Sequence, residues 1–151
     1  MIKLFFPLFV FLVLFGCDNN PNIISDIHET FYENGQLEVR GNYVDEKEEG
    51  LWEWFYENGQ LKTFIHFQNG KRNGLNEDFF EDGRLAERST YIDGKRNGIH
   101  EEFYSDGQLM ERRHYIFGKG NGSWEWYRED GTLESIKYYL NGDIASESTT
   151  E

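Results

Sequence analysis

Cysteine is almost absent from this chain. Cys17 is the only one, so no disulfide can form within it. Proline is nearly as scarce, at two residues. Basic side chains are outnumbered, 15 Lys and Arg against 28 Asp and Glu, which leaves a formal net charge of -13. A chain of that sign repels a phosphate backbone, which argues against a nucleic-acid partner. What is plentiful is glycine, 16 residues, and aromatic side chains, 17%. Aromatic residues suit a pleated surface and glycine supplies turns, so the mix favours strands over helices. The apolar area of the aromatics also argues against disorder. A length of 151 residues is that of one domain.

The N-terminus stands apart. Residues 1–16 read MIKLFFPLFVFLVLFG: Lys3 precedes an apolar run that ends on the small residue Gly16. The run is shorter than the roughly 20 apolar residues a spanning helix needs. Its proportions are those of a secretory signal peptide, with a short uncleaved anchor as the alternative. Leu14-Phe15-Gly16-Cys17 resembles the lipobox of bacterial lipoproteins, with Phe15 as its one departure. That resemblance implies acylation of Cys17, which would become the mature N-terminus. It implies a lipid-anchored lipoprotein of the bacterial cell envelope, periplasmic or surface-facing. Asp18 implies retention at the inner membrane in some bacterial groups. Each buried CH₂ of such a lipid contributes about 0.8 kcal/mol, so several chains together hold stably. Residues 17–26 then form a lipidated tether.

The chain repeats itself at a fixed interval. Gly35, Gly59, Gly83, Gly107 and Gly131 recur every 24 residues, and Leu37, Leu61, Leu85, Leu109 and Leu133 follow in step. Two aromatic sets keep the same spacing, Phe31, Phe55, Phe79, Phe103 and Tyr127, then Tyr43, Phe67, Tyr91, Tyr115 and Tyr139. Internal periodicity of this kind decides the architecture. Each unit parses as a β-hairpin with Asn-Gly or Asp-Gly at its tip, as at Asn58-Gly59 and Asp82-Gly83. Such dipeptides are the usual signal of a two-residue type I′ turn. Longer connections such as Asn69–Gly74 would join the hairpins. The expected fold is all-β: five tandem hairpins over residues 27–142, ten strands in an elongated antiparallel meander sheet, with a polar C-terminal tail at 143–151.

A two-residue turn at Asn58-Gly59 also predicts register. Tyr56 should face Leu61, Phe55 Lys62, Trp54 Thr63, Glu53 Phe64, Trp52 Ile65, Leu51 His66 and Gly50 Phe67.

The unit Gly-x-x-x-x-aromatic-aromatic-x-x-Gly-x-Leu, closing on aromatic-x-x-Gly-Lys, resembles the bacterial variant of the MORN repeat. It occurs as GLWEWFYENGQL…FQNGKRNG and GIHEEFYSDGQL…YIFGKGNG. Bacterial proteins that carry it are often labelled YwqK-type antitoxin components. The resemblance implies a hairpin array used for contact with protein or lipid. It implies no catalytic residues and no cofactor.

The residues themselves name few chemical sites. Glu29, Glu53, Glu77, Glu101 and Glu125 recur once per repeat. Equivalent strands lie roughly 9–10 Å apart, too far for one Ca²⁺ with ligands at about 2.3–2.6 Å to bridge two of them. Glu29, Glu77 and Glu101 instead face Arg40, Arg88 and Arg112, which makes them cross-strand ion pairs. Glu53 and Glu125 face Phe64 and Ile136. His28, His66, His100 and His114 show no metal spacing and read as surface strand residues. Trp52, Trp54, Tyr56, Trp124 and Trp126 are the candidates for partner contact. The tryptophans share one face, and their counterparts Asn76, Asp78, His100 and Glu102 are polar. They either display aromatic patches toward both ends of the sheet or thicken a core there. The leading expectation is an envelope-anchored binding or scaffolding module for an unknown protein partner. Recognition of envelope glycan or lipid headgroups through the aromatic face is the second, an antitoxin-like component a third, and an enzyme the least supported.

Overall fold

In a computed structural model, residues 25–149 are described, and Cys17 with the expected signal segment 1–16 lies outside them. The described chain forms eleven strands. They are β1 Ser25–Phe31, β2 Leu37–Val44, β3 Lys47–Phe55, β4 Leu61–Gln68, β5 Lys71–Phe79 and β6 Leu85–Ile92. Then follow β7 Lys95–Phe103, β8 Leu109–Ile116, β9 Lys119–Tyr127, β10 Leu133–Leu140 and β11 Asp143–Thr149. They lie side by side in sequence order as one open antiparallel meander. The sequence predicts ten strands and a polar tail from residue 143. Instead that segment turns back at Asn141-Gly142 and pairs with β10, every residue of it exposed. At the other end, the expected tether runs into the sheet, since Ser25 and Asp26 pair with Val44 and Tyr43.

The two kinds of turn are exchanged relative to expectation. At the hairpin tip the Tyr56 N–H donates to Gln60 O and the Gly59 N–H to Tyr56 O, both at 2.8 Å. Only Gly59 (φ +84°) is left-handed there; Asn58 is not. This is a three-residue loop closed by a glycine bulge rather than a type I′ turn. Asn or Asp is needed at the tip for a different reason. Its side-chain Oδ1 accepts the N–H two residues on, as with Asn58 and Gln60 at 2.8 Å, and the same bond recurs at Asn34, Asp82, Asp106 and Asp130. The two-residue turns with both φ positive lie in the connections: Asp45-Glu46, Asn69-Gly70, Asp93-Gly94, Phe117-Gly118 and Asn141-Gly142. The expected connection Asn69–Gly74 thus shrinks to two residues, and Lys71–Gly74 belongs to β5.

The predicted pairing survives beyond the tip because two irregularities cancel. Phe55 pairs with Leu61, not Lys62, and Tyr56 meets Gln60 at the base of the loop. Lys62 is then left over as a bulge. From Trp54↔Thr63 onward the predicted partners hold, through Trp52↔Ile65 to Gly50↔Phe67.

With one layer and two faces, the sheet buries its core on one face, along a central row with Tyr91 and Glu111 to either side. That row runs Trp52↔Ile65↔Asn76↔Ser89↔His100↔Arg113↔Trp124 across β3 to β9. Gly41 makes room at its N-terminal end: a Cβ there would lie 2.1 Å from Trp52 Cδ2.

Candidate functional site

The row is apolar at its ends and polar in the middle. Trp52 is 4% exposed. Its Nε1–H donates to Asn42 O at 3.2 Å, and its ring packs on Tyr43, His28, Trp54 and Phe67. Trp124 repeats the arrangement three units on, donating to His114 O at 3.2 Å and packing on Tyr115 and Tyr139. Trp52 is part of the core and presents no free surface, whereas Trp124 keeps part of its surface exposed. Tyr56 is also committed elsewhere: its hydroxyl donates to Phe79 O of the next hairpin at 2.8 Å. Of the five sequence candidates, only Trp52 is fully buried; Trp54, Trp124 and Trp126 remain partly exposed on this face, near opposite ends of the sheet.

Between the aromatic ends lies a row of acids. Asp78, Glu87, Glu102 and Glu111 stand directly opposite one another on four consecutive strands, β5 to β8. Neighbouring strands are about 4.8 Å apart, and like charges placed so are destabilising. Cations partly compensate. Arg113 pairs with Glu111, and Arg96 lies 3.4 Å from Glu87. Burial pushes the Glu111 carboxyl above its ordinary range, opposed by Arg113 and aided by Glu102. Asp78, Glu87 and Glu102, with the apolar Phe80, Ala86, Phe103 and Met110, line a cleft of about 310 Å³.

His100 sits inside this cluster, only 1% exposed. The expectation of surface histidines fails for it. The register places it two residues before Glu102 on β7 and diagonal to Glu111 on β8, a proximity that spacing between histidines cannot reveal. His66 and His114 serve the backbone. Their Nδ1–H groups donate to Leu75 O and Ser123 O at 2.9 Å, carbonyls freed where β5 and β9 bulge.

The opposite face carries a charge ladder. Glu29, Arg40, Glu53, Phe64, Glu77, Arg88, Glu101, Arg112, Glu125 and Ile136 follow one another across β1 to β10. Each arginine has a glutamate on both sides. Arg88 reaches Glu77 at 3.8 Å and Glu101 at 3.5 Å, and Arg112 reaches Glu101 at 2.8 Å and Glu125 at 3.9 Å. Glu125 and Glu53, which face Ile136 and Phe64 within their own hairpins, stand opposite Arg112 and Arg40 of the preceding one, and Arg112 reaches Glu125. Beside the ladder on this face, Ile27, Leu51 and Ile99 are 72%, 45% and 46% exposed.

The model of one protein family, the MORN repeat variant, matches residues 27–45, 48–69, 96–116 and 121–141, more than half of the chain. The chain belongs to the MORN repeat variant family. Residues 70–95 of this MORN repeat protein lie between matched spans, yet they fold as the same hairpin and supply Asp78 and Glu87 to the acidic row. No curated protein matches the chain. Among solved structures it is similar to two of TarM, each at 16% identity. One is a crystal structure of TarM (TM-score 0.41, 67% of this chain and 19% of that one). The other is a mutant of S. aureus TarM in complex with Fondaparinux, alpha-GlcNAc-glycerol and UDP (TM-score 0.39, 78% and 20%). This MORN repeat protein therefore spans about a fifth of the length of those chains.

Proposed function

We propose that this MORN repeat protein is a non-catalytic module, held at the bacterial envelope through Cys17, that binds a protein partner on its ladder face. The observation that supports this reading is the exposed aliphatics Ile27, Leu51 and Ile99, at one repeat position on β1, β3 and β7, beside the ladder of alternating charge. Solvent-exposed apolar side chains rimmed by charge are the surface pattern of protein contact. The Glu and Arg row would set register on the partner, and the aliphatics would supply buried area. Envelope attachment rests on the lipobox-like Leu14-Phe15-Gly16-Cys17. The antitoxin-like alternative uses the same face, with a toxin as the protein bound.

A photo-crosslinking residue at position 51 or 99, introduced in the native cells, should give one discrete adduct. Leu51→Asp in a chain labelled at position 99 should abolish it, whereas Trp54→Ala should not. Loss on Trp54→Ala with no effect of Leu51→Asp would move the contact to the aromatic face and favour the glycan or lipid reading. The identity of the adduct decides between a scaffold partner and a toxin.

A further inference from the structure

The middle of the buried row carries donors that neither the repeat nor the binding reading requires. We propose that His100, Glu102 and Glu111 form a site for one divalent transition-metal ion of the zinc class. His100 Nε2 lies 3.0 Å from Glu102 Oε1 and 3.6 Å from Glu111 Oε1. A donor atom from each of the three residues lies within 4.8 Å of the others. Zinc bonds of about 2.0–2.2 Å in tetrahedral geometry hold ligand atoms roughly 3.4 Å apart, between the two observed distances.

A second observation points the same way. Glu111 is 4% exposed, and Arg113 holds its Oε2. Its Oε1 has no hydrogen-bond partner and faces His100 Nε2. A buried carboxylate oxygen left without a partner is costly, and an ion between it and the imidazole removes that cost. A metal ion on Nε2 requires that nitrogen to be free of a proton. The neutral ring then carries its proton on Nδ1, 3.4 Å from Glu87 Oε1. The pair is short of hydrogen-bond geometry as it stands, but a carboxylate behind a ligating histidine is the usual outer support.

The donor set discriminates among metals. Ca²⁺ takes six to eight oxygen ligands, and this site offers one imidazole and two carboxylates. Zn²⁺ and its transition-metal neighbours accept that mixture. Glu102 also lines the cleft, so water or a ligand from a partner can complete the sphere there. The ion would offset the charge of the acidic row and join β7 to β8. The site lies on the face opposite the proposed partner surface, so each proposal can fail without the other.

The test uses the full chain, freed of metal by a chelator and titrated with ZnCl₂ in a calorimeter. One ion should bind per chain. Glu102→Gln, at a one-third exposed position, should keep the thermal midpoint of the metal-free chain and weaken binding about tenfold or more, the loss common even for outer-shell partners. Glu77→Gln on the ladder face should leave it unchanged. In ¹⁵N spectra of the imidazoles, zinc should shift His100 Nε2 and leave His66 and His114 in place, a readout that needs no variant. No saturable uptake, equal loss from Glu77→Gln and Glu102→Gln, or an unmoved His100 would each overturn the proposal.

Discussion

Phe117 occupies a position that its counterparts leave to Asn or Asp. Its φ is +46°, in the left-handed region, as are those of Asp45, Asn69, Asp93 and Asn141 in the same turn. Asn and Asp tolerate this conformation, and bulky residues do so at a cost of about 1–3 kcal/mol. The ring is 59% exposed, so little burial offsets that strain. Phe117→Asn should stabilise the protein by about 1 kcal/mol, read as a thermal midpoint a few degrees higher. Gly41 gives the opposite case. Its φ is ordinary, and what it supplies is space, since any Cβ would overlap the Trp52 ring. Gly41→Ala should cost about 1–3 kcal/mol, the range for an overpacked core. Tryptophan fluorescence would also report displacement of Trp52. An unchanged melting curve would refute that packing account. Glu125 contributes a pH dependence of known sign. Burial raises its pKa, but hydrogen bonds from Tyr127 and Ser123 and the charge of Arg112 outweigh this and leave it lowered. A lowered carboxyl stabilises above its ordinary value of 4.5 and loses that contribution as pH falls through the folded value. The midpoint difference between wild type and Glu125→Gln should therefore be present at neutral pH and vanish in acid.

Neighbouring units are tied at their connections and, after the first, second and fourth hairpins, also at their tips. At the tip, Tyr32, Tyr56 and Tyr104 donate their hydroxyls to Phe55 O, Phe79 O and Tyr127 O. At the connection, the N–H groups of Gly70, Gly94, Gly118 and Gly142 donate to Glu48 O, Arg72 O, Arg96 O and Gly120 O. The tyrosine tie is missing where the third hairpin has Phe80, which has no hydroxyl and lines the cleft instead. Tyr56→Phe should cost about 0.5–1.5 kcal/mol, the net worth of one hydrogen bond. Phe80→Tyr should recover a similar amount if its hydroxyl reaches Phe103 O. Two such changes of opposite sign in urea melts would establish the tie as a unit of inter-repeat coupling. The 24-residue spacing disclosed these elements because it counts residues, and residue number is conserved through every bulge. It could not disclose which turn was which. Asn58-Gly59 and Asn69-Gly70 are the same dipeptide, and only the hydrogen bonds show that one closes a three-residue loop and the other a two-residue turn. The acidic site was illegible for a related reason. His100, Glu102 and Glu111 become neighbours only through the pairing of β7 with β8.

Across the whole molecule, two electrostatic patterns oppose each other on the two faces of one sheet. The ladder face alternates in sign, whereas Asp78, Glu87, Glu102 and Glu111 repeat one sign across β5 to β8. A net charge of -13 adds general repulsion. Salt screens both patterns, so the response of stability to salt tells which dominates. Ladder side chains such as Arg40 and Arg88 are about half exposed, and such pairs contribute at most about 1 kcal/mol each. The acidic row includes Glu111 at 4% exposure, where water relieves repulsion least, and no compensating ladder lies within it. Repulsion should therefore win in metal-free protein. Raising NaCl from about 0.02 M to about 0.5 M shortens the screening length from roughly 20 Å to roughly 4 Å. The thermal midpoint should rise by a few degrees over that range. Asp78→Asn, which removes the N-terminal member of the row, should raise the low-salt midpoint and flatten the salt response. A midpoint that falls with salt would instead mean that the ladder governs stability, and Arg112→Gln would then be the variant to flatten the curve.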